Sequence, residues 1–440
     1  MRDFLPLLCA LALIPTAATA APADEAKRAQ NAERTPTARC ITENATILRR
    51  EAPDKDWQIV SRDEELFTDD LLVGLPGGML VSRDGGVRLR FLTALEGQSP
   101  FPVKEAAIRL HQPGGVDLDF TLERGRVDLF NDKKAGSATV RLRVRKETWE
   151  LTLNEPGTRI ALELYGRWPR GTHFTAKPTA DQAPTAELVF LAIRGHVNLS
   201  HQGEVQALHA PPGPALLEWD SVTGEDQSPK RLDALPDWAV AATADQAKLA
   251  ASRARFARVR ELLASKPIDS VFEELLKSDS MDDRRLAING MAALDRLDLV
   301  AKAMREAKTP DIWQNGVLAL RHWIGRGPGQ DQILYKRLID NRGFKPVHAA
   351  TIVQLLHSFG DEDLARPETY QTLLDYLEHD LLAIRGLASW HLERLVPAGK
   401  EFGYNPLASK AEREAALAKW RKLIPPGQMP PNREPKNGDR

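Results

Sequence analysis

The apolar pattern of this chain changes period part-way along, so two kinds of structure must follow one another in it. From Ile41 the residues run in short alternating stretches. Examples are Met79-Leu80-Val81, Val87 to Phe91, Val116 to Leu122, Val127 to Leu129, Val140 to Val144, Leu151 to Leu153 and Ile160 to Leu164. Alternation sends successive side chains to opposite faces, which is the mark of half-buried strands. Asp84-Gly85-Gly86, Pro113-Gly114-Gly115, Asn131-Asp132 and Pro156-Gly157 stand between them as turn formers. With no helical run among them, residues 41–210 are expected to form an antiparallel β-sandwich or roll, with a short β-solenoid as the alternative.

A Pro-rich, polar connector is expected at 211–242, and beyond it the period becomes helical. Over 243–424 four helix pairs are predicted. Their second helices hold Arg285 to Leu294, Ile312 to Ile324, Val347 to Phe359 and Leu382 to Leu395. Small residues recur on one face (Gly290, Gly316, Ala349, Gly386). Bulky ones follow a turn later (Leu294, Leu320, Leu355, Trp390). Such units bury their apolar faces only by stacking, so an α-solenoid follows the β region and the chain is multidomain, all-β plus all-α.

Inside the β region, Leu118 to Leu129 and Leu188 to Leu199 share the form Leu-x-Phe-x4-Gly-x-Val-x-Leu. A Gly between alternating runs marks a tight turn or bulge. The pair therefore predicts two copies of one hairpin, turning at Gly125 and Gly195.

The first residues give an address. Arg2 precedes an apolar run from Phe4 to Ile14, and Ala18-Thr19-Ala20 supplies small residues before a cut. Residues 1–20 are predicted to be a secretory signal peptide cleaved after Ala20. The run is too short to span a bilayer, which takes about 20 apolar residues. No later stretch is apolar enough to do so, and a periplasmic or secreted product without an integral membrane segment is expected. Residues 21–40 are expected to be a mobile leader and 425–440 a disordered tail. Cys40 alone remains after cleavage, so no intrachain disulfide is expected.

Composition removes one function class. Lys and Arg number 60 against 61 Asp and Glu. A nucleic-acid binder needs a basic excess to displace counterions, so no nucleic-acid partner is expected.

The order of motifs in the β region resembles the FecR-type periplasmic domain. Met79-Leu80-Val81, Asp84-Gly85-Gly86 and Val87-Arg88-Leu89 stand where that family has a strand, a Gly-marked turn and a strand, and Thr93 follows. Leu122-Glu123-Arg124-Gly125-Arg126-Val127 matches its Leu-x-x-Gly-Arg-Val segment. Gly157-Thr158 precedes another strand, Gly195-His196-Val197 supplies the second Gly-x-Val, and Ala210 and Gly213 close the pattern. The resemblance covers about residues 44–213. It marks Gly125, Val127, Gly157, Thr158, Gly195 and Val197 as structural motif positions, and it implies an envelope setting. With Met1-Arg2-Asp3 ahead of the apolar run, the cytoplasmic half of those regulators is expected to have no counterpart here. The helical half resembles HEAT-type repeat proteins, including an end segment Gly399 to Pro406 followed by Trp420.

No Gly-x-Ser-x-Gly, His-Glu-x-x-His, phosphate loop or Cys-x-x-Cys is present. The chain is therefore read as non-enzymatic and without cofactor or metal. His196, His201 and His209 lie around one predicted hairpin and could converge, but no Asp or Cys joins them at metal-ligand spacing, so they are read as surface histidines. Arg141, Arg143 and Arg145 alternate with Leu142 and Val144, which predicts three guanidiniums on one face able to hold a polyanion. Glu123, Glu147 and Asp128 on neighbouring strands would make the same face an ordinary solvated one. Asp54, Asp56, Asp69 and Asp70 lack the alternating oxygens of a calcium loop and are read as solvated turns. Trp313, Trp323, Trp390 and Trp420 are read as core. Asp363, Glu368, Asp375, Glu378 and His379 are read as the solvent face of a repeat helix.

Together these features predict an exported, non-catalytic envelope protein. A sensing or binding β domain would be joined to a helical platform for an envelope protein partner. The alternatives are a module binding an anionic polysaccharide or other carbohydrate through the Arg141/Arg143/Arg145 stripe, and a hydrolase assembled across the domain junction.

Overall fold

One strand, Leu118–Asn131, organises the β region because it belongs to two sheets in turn. Leu118, Phe120 and Leu122 point into the core from its first half, and Val127 and Leu129 from its second. The inward set thus changes from even to odd positions. A strict period of two forbids that unless a residue is inserted. The insertion is visible where Ala107 pairs with Arg124 but Ile108 pairs with Leu122. Gly125 follows at φ +89°, and a Cβ there would sit on the Glu105 carbonyl oxygen. Only glycine fits both demands.

The computed structural model describes residues 34–93, 105–179, 182–236, 239, 246–307 and 309–431. The proposed signal peptide lies outside them. In chain order the strands are β1 (Pro36–Cys40), β2 (Ile47–Arg50), β3 (Gln58–Ile59), β4 (Glu65–Phe67), β5 (Leu71–Gly74) and β6 (Met79–Ser82). There follow β7 (Val87–Leu92), β8 (Ala106–Leu110), β9 (Leu118–Asn131), β10 (Ala138–Val144), β11 (Glu147–Leu153) and β12 (Arg159–Arg167). The last are β13 (Thr185–Arg194), β14 (His196–His201), β15 (Glu204–His209), β16 (Pro214–Asp220) and β17 (Lys230–Arg231).

One sheet runs β4-β1-β6-β7-β9-β12-β13-β16-β17, and the other β3-β2-β5-β8-β9-β10-β11-β14-β15. Pairing is antiparallel except between β9 and β10, so the network is mixed. Leu80, Leu89 and Leu162 of the first sheet and Leu72, Ile108 and Leu151 of the second join one core.

The two Gly-x-Val copies are not hairpins. The first lies within β9, which crosses from the second sheet to the first. The second joins β13 to β14, which pair with other strands and cross the opposite way. A glycine between two alternating runs marks a change of layer as readily as a reversal, and the pattern alone does not separate them. Gly195 takes φ +75°, and a Cβ there would lie 2.5 Å from Thr158 Oγ1. The Gly157-Thr158 turn and Gly195 therefore pack against each other, with Thr158 buried and Val127 and Val197 fully inside.

Boundaries also move. β1 falls inside the expected leader, with Cys40 buried and unoxidised. β16 and β17 fall inside the expected connector, Ala215, Leu217 and Trp219 pointing inward at alternate positions. Of the expected tail, 425–440, residues 425–431 are described and Pro430 is buried there; 432–440 lie outside the described residues.

The helical region begins with α1 (Gln246–Ser265) and α2 (Ile268–Leu275). It continues through α3 (Met281–Ala293), α4 (Leu297–Arg305), α5 (Pro310–Gly325), α6 (Gln330–Asp340) and α7 (Pro346–Leu356). The last helices are α8 (Asp361–Leu364), α9 (Pro367–Leu377), α10 (Leu382–Leu395) and α11 (Lys410–Leu423). Helices α2/α3, α4/α5, α6/α7 and α9/α10 pack as pairs, and α3, α5, α7 and α10 contact one another as a layer. The small residues mark close approach. A Cβ on Gly290 would strike the Phe272 ring at 2.5 Å, one on Gly316 the Met304 side chain, and one on Gly386 the Trp313 ring. Trp313, Trp323 and Trp420 are buried. Trp390 lies half-buried between the guanidiniums of Arg321 and Arg394.

From Pro36 onward the chain is one compact unit. Ala45, Leu48, Trp57, Leu71, Val73, Leu75 and Ala107 of the β region share a core with the helices. The helical array thus lies on the outer face of β2, β3, β5 and β8.

Candidate functional site: a cleft where the sheets meet the helix ends

The last carbonyls of an α-helix have no partner inside it, and the C-terminus is its negative pole. Here the β region supplies the missing donors. Trp57 Nε1 donates to Leu294 O at 3.0 Å, and Arg124 Nη2 to Ala293 O at 2.8 Å, both at the end of α3. Trp168 Nε1 donates to Ile324 O at 3.0 Å at the end of α5. Gly166 and Gly325 let the backbones of β12 and α5 touch, since a Cβ on Gly325 would lie 2.7 Å from Gly166 O.

Asp295 ends α3 in a left-handed conformation, φ +59°. Arg296 N donates to Met291 O and Asp295 N to Ala292 O. This is the doubly bonded helix stop that usually takes glycine. An aspartate there carries backbone strain and puts a carboxylate at the negative pole. Its contacts offset both. Arg326 Nη1 reaches it at 2.8 Å, Trp323 Nε1 at 2.9 Å and Arg50 Nη2 at 3.3 Å. Glu105 bridges Arg124 Nε at 2.8 Å and Arg326 Nη2 at 2.6 Å.

Arg50, Glu105, Arg124, Asp295 and Arg326 line a cavity of about 440 Å³. Its walls include Arg50, Arg109, Arg124, Arg145 and Arg326, the carboxylates Glu105, Glu123 and Asp295, and Tyr165, His322 and Gln330. The volume is that of a small-molecule site. Burial pulls Arg124 down, but Glu105, Asp295 and Glu123 together hold its pKa above the usual arginine value. For Arg326, burial and the neighbouring Arg124 outweigh Glu105 and Asp295, and its pKa is lowered. Burial pulls Asp295 upward, yet Arg326 and Arg124 hold it below the usual carboxylate range. A carboxylate so held stays ionised at neutral pH, the opposite of what a general acid needs. Burial pushes the Tyr165 hydroxyl up. The cleft therefore offers fixed charges and hydrogen-bond donors.

Of the sequence candidates, Arg145 reaches this cleft, together with Gly125 and Glu123. Arg141 and Arg143 do share a face, but both turn onto Asp119, whose side chain is fully buried beneath them. Arg143 pairs with it through two bonds of 2.8 Å, and Arg141 at 3.5 Å and with Glu150 at 2.7 Å. Arg145 lies past the end of β10 at φ +53°. It donates to Ser221 Oγ at 3.2 Å and Pro184 O at 3.0 Å. The three-guanidinium stripe is thus a neutralised pair and a separate turn residue.

The histidines divide too. His196 faces His209 across β14 and β15 and meets Glu155 at 2.9 Å. His201, at the other end of β14, is buried against Trp149 between Glu147 and Asp226. Among the described residues no group of His, Cys, Asp and Glu could hold a metal ion. Asp54 and Asp56 are exposed, but Asp70 is buried and caps Phe67 N at 2.7 Å. Asp363 caps Gly360 N, Glu378 pairs with Arg421, and His379 accepts from Leu381 N.

Glu105, Asp295, Arg50 and Arg326 carried no motif in the sequence. The one local signal was an Asp where α3 needed a glycine-like stop. Their meeting depends on contacts between residues about 200 positions apart. No protein-family model, curated protein or solved structure matches this chain.

Proposed function

We propose that this protein is an exported, non-catalytic binding protein of the bacterial envelope. In this reading a FecR-like β region and a HEAT-like helical region act as one body around a ligand-binding cleft. The cleft carries the reading: about 440 Å³, lined by charged groups fixed from both regions. The apolar run Phe4 to Ile14 and the small residues Ala18-Thr19-Ala20 support export. Asp295, held below the usual carboxylate range by Arg326 and Arg124, supports binding over acid–base work. The Arg141/Arg143/Arg145 stripe gains no support, because Asp119 takes two of its three charges.

Fractionation of cells expressing the full chain tests this. The mature product is expected outside the inner membrane with Ala21 as its first residue by mass spectrometry. Affinity capture from envelope extract is expected to recover a reproducible component. A chain held in the cytoplasm with its first twenty residues intact, or a capture that recovers nothing reproducible, overturns the proposal.

A further inference from the structure

We infer that the junction cleft is an anion site, which takes a small ligand through a carboxylate or phosphate group held by Arg145 beside Arg124 and Arg326. This rests on the cleft being the ligand seat and adds the chemistry of what sits there. Five arginines line the cavity against three carboxylates, Glu105, Glu123 and Asp295. Each carboxylate already has an arginine: Glu105 has Arg124 and Arg326, Asp295 has Arg326 and Arg50, and Glu123 has Arg109 at 3.0 Å. The negative poles of α3 and α5 are likewise engaged by Arg124, Trp57 and Trp168.

Arg145 is different. Among the described residues its guanidinium meets only the neutral oxygens of Ser221 and Pro184. Arg145 stays exposed at the cleft, with no carboxylate among the described residues pairing it, and partial desolvation lowers its pKa. An arginine fork has donors to spare after two neutral bonds, and carboxylate or phosphate matches its geometry.

Other occupants fit less well. A metal cation would have to compete with arginine for every carboxylate present. A neutral sugar would leave the positive excess unanswered.

Titration calorimetry on the mature full chain tests this, with inorganic pyrophosphate and citrate as probes and the neutral disaccharide trehalose as control. At least one anion is expected to bind, more weakly as salt rises. Arg145→Ala is expected to weaken it about tenfold, and Arg141→Ala, outside the cleft, by less than about twofold. Gln330→Glu, which adds a negative charge to the cleft lining, gives an independent loss of similar size should Arg145→Ala fail to fold. Binding of pyrophosphate alone assigns phosphate, and binding of citrate alone assigns carboxylate. If neither anion binds by about 10 mM, or if Arg141→Ala weakens binding as much as Arg145→Ala, the anion assignment is overturned. Trehalose bound in a Gly327→Trp-sensitive way, without either anion, would overturn it while leaving the cleft as a ligand seat.

Discussion

The second sheet has two halves that obey different rules. In β10 the buried positions alternate strictly with half-exposed ones, because its outer face meets water. In β5 all four residues are buried: Leu72 faces the inter-sheet core, and Leu71 and Val73 face the helices. The bare half manages its outer face with paired charge, Arg141 and Arg143 over Asp119, and His111 on Thr121 at 2.7 Å. The covered half uses apolar contact, indole donors and buried ion pairs. One sheet can therefore be a solvated surface at one end and the middle layer of a three-layer stack at the other.

The contrast is sharpest at Trp57. Trp57→Ala removes a buried ring, its bond to Leu294 O and its stacking under Arg50. A loss of about 3–5 kcal/mol is expected in urea unfolding. The loss should appear in one transition for both regions. Two separated transitions, with only the second shifted, would break the claim that the covered half binds the regions into one body.

Next in size is Asp295→Asn, expected to cost about 2–3 kcal/mol at pH 7 because Arg50 loses its counter-charge and Arg326 is left with Glu105. The folded-state pKa of Asp295 lies below its unfolded value. Its contribution is therefore present above about pH 4 and is lost as pH falls through the folded value. A stability profile from pH 7 to 3 should show the variant and the parent converging on the acid side. Parallel profiles would mean that the carboxylate charge is not what matters there.

The smallest effect belongs to the bare half. Glu150 is well exposed, and Arg141 keeps Asp119 when it is removed. Glu150→Gln should shift thermal stability by less than about 1 kcal/mol. A larger loss would show that the solvated face is as tightly coupled as the covered one.

The same contrast governs what could be read from the sequence. β7, β10, β11 and β12 announced themselves through Val87 to Phe91, Val140 to Val144, Leu151 to Leu153 and Ile160 to Leu164. Each keeps one face apolar and the other polar. β2, β5 and β8 gave no such signal, because Ile47-Leu48, Leu71-Leu72-Val73 and Ala106-Ala107-Ile108 are buried on both faces and read as plain apolar runs. β16 was hidden by the prolines around it, although Ala215, Leu217 and Trp219 alternate. Of the candidate site, Gly125 stood out as a motif glycine, and Arg145 for a reason that did not hold, as the third member of a strand face.

What the sequence determined by itself was the order of the two regions, the period of each, and the small residues at which helices approach. These are local properties, set by which side chains recur at two or at 3.6 residues. What the tertiary structure decided was that Gly125 and Gly195 mark crossings between sheets, and that the helix ends of α3 and α5 land on Trp57, Arg124 and Trp168. It also decided that Glu105, Asp295, Arg50 and Arg326 meet around one cleft. Those outcomes depend on which unpaired carbonyl and which buried charge finds which distant donor, and no local pattern records that choice.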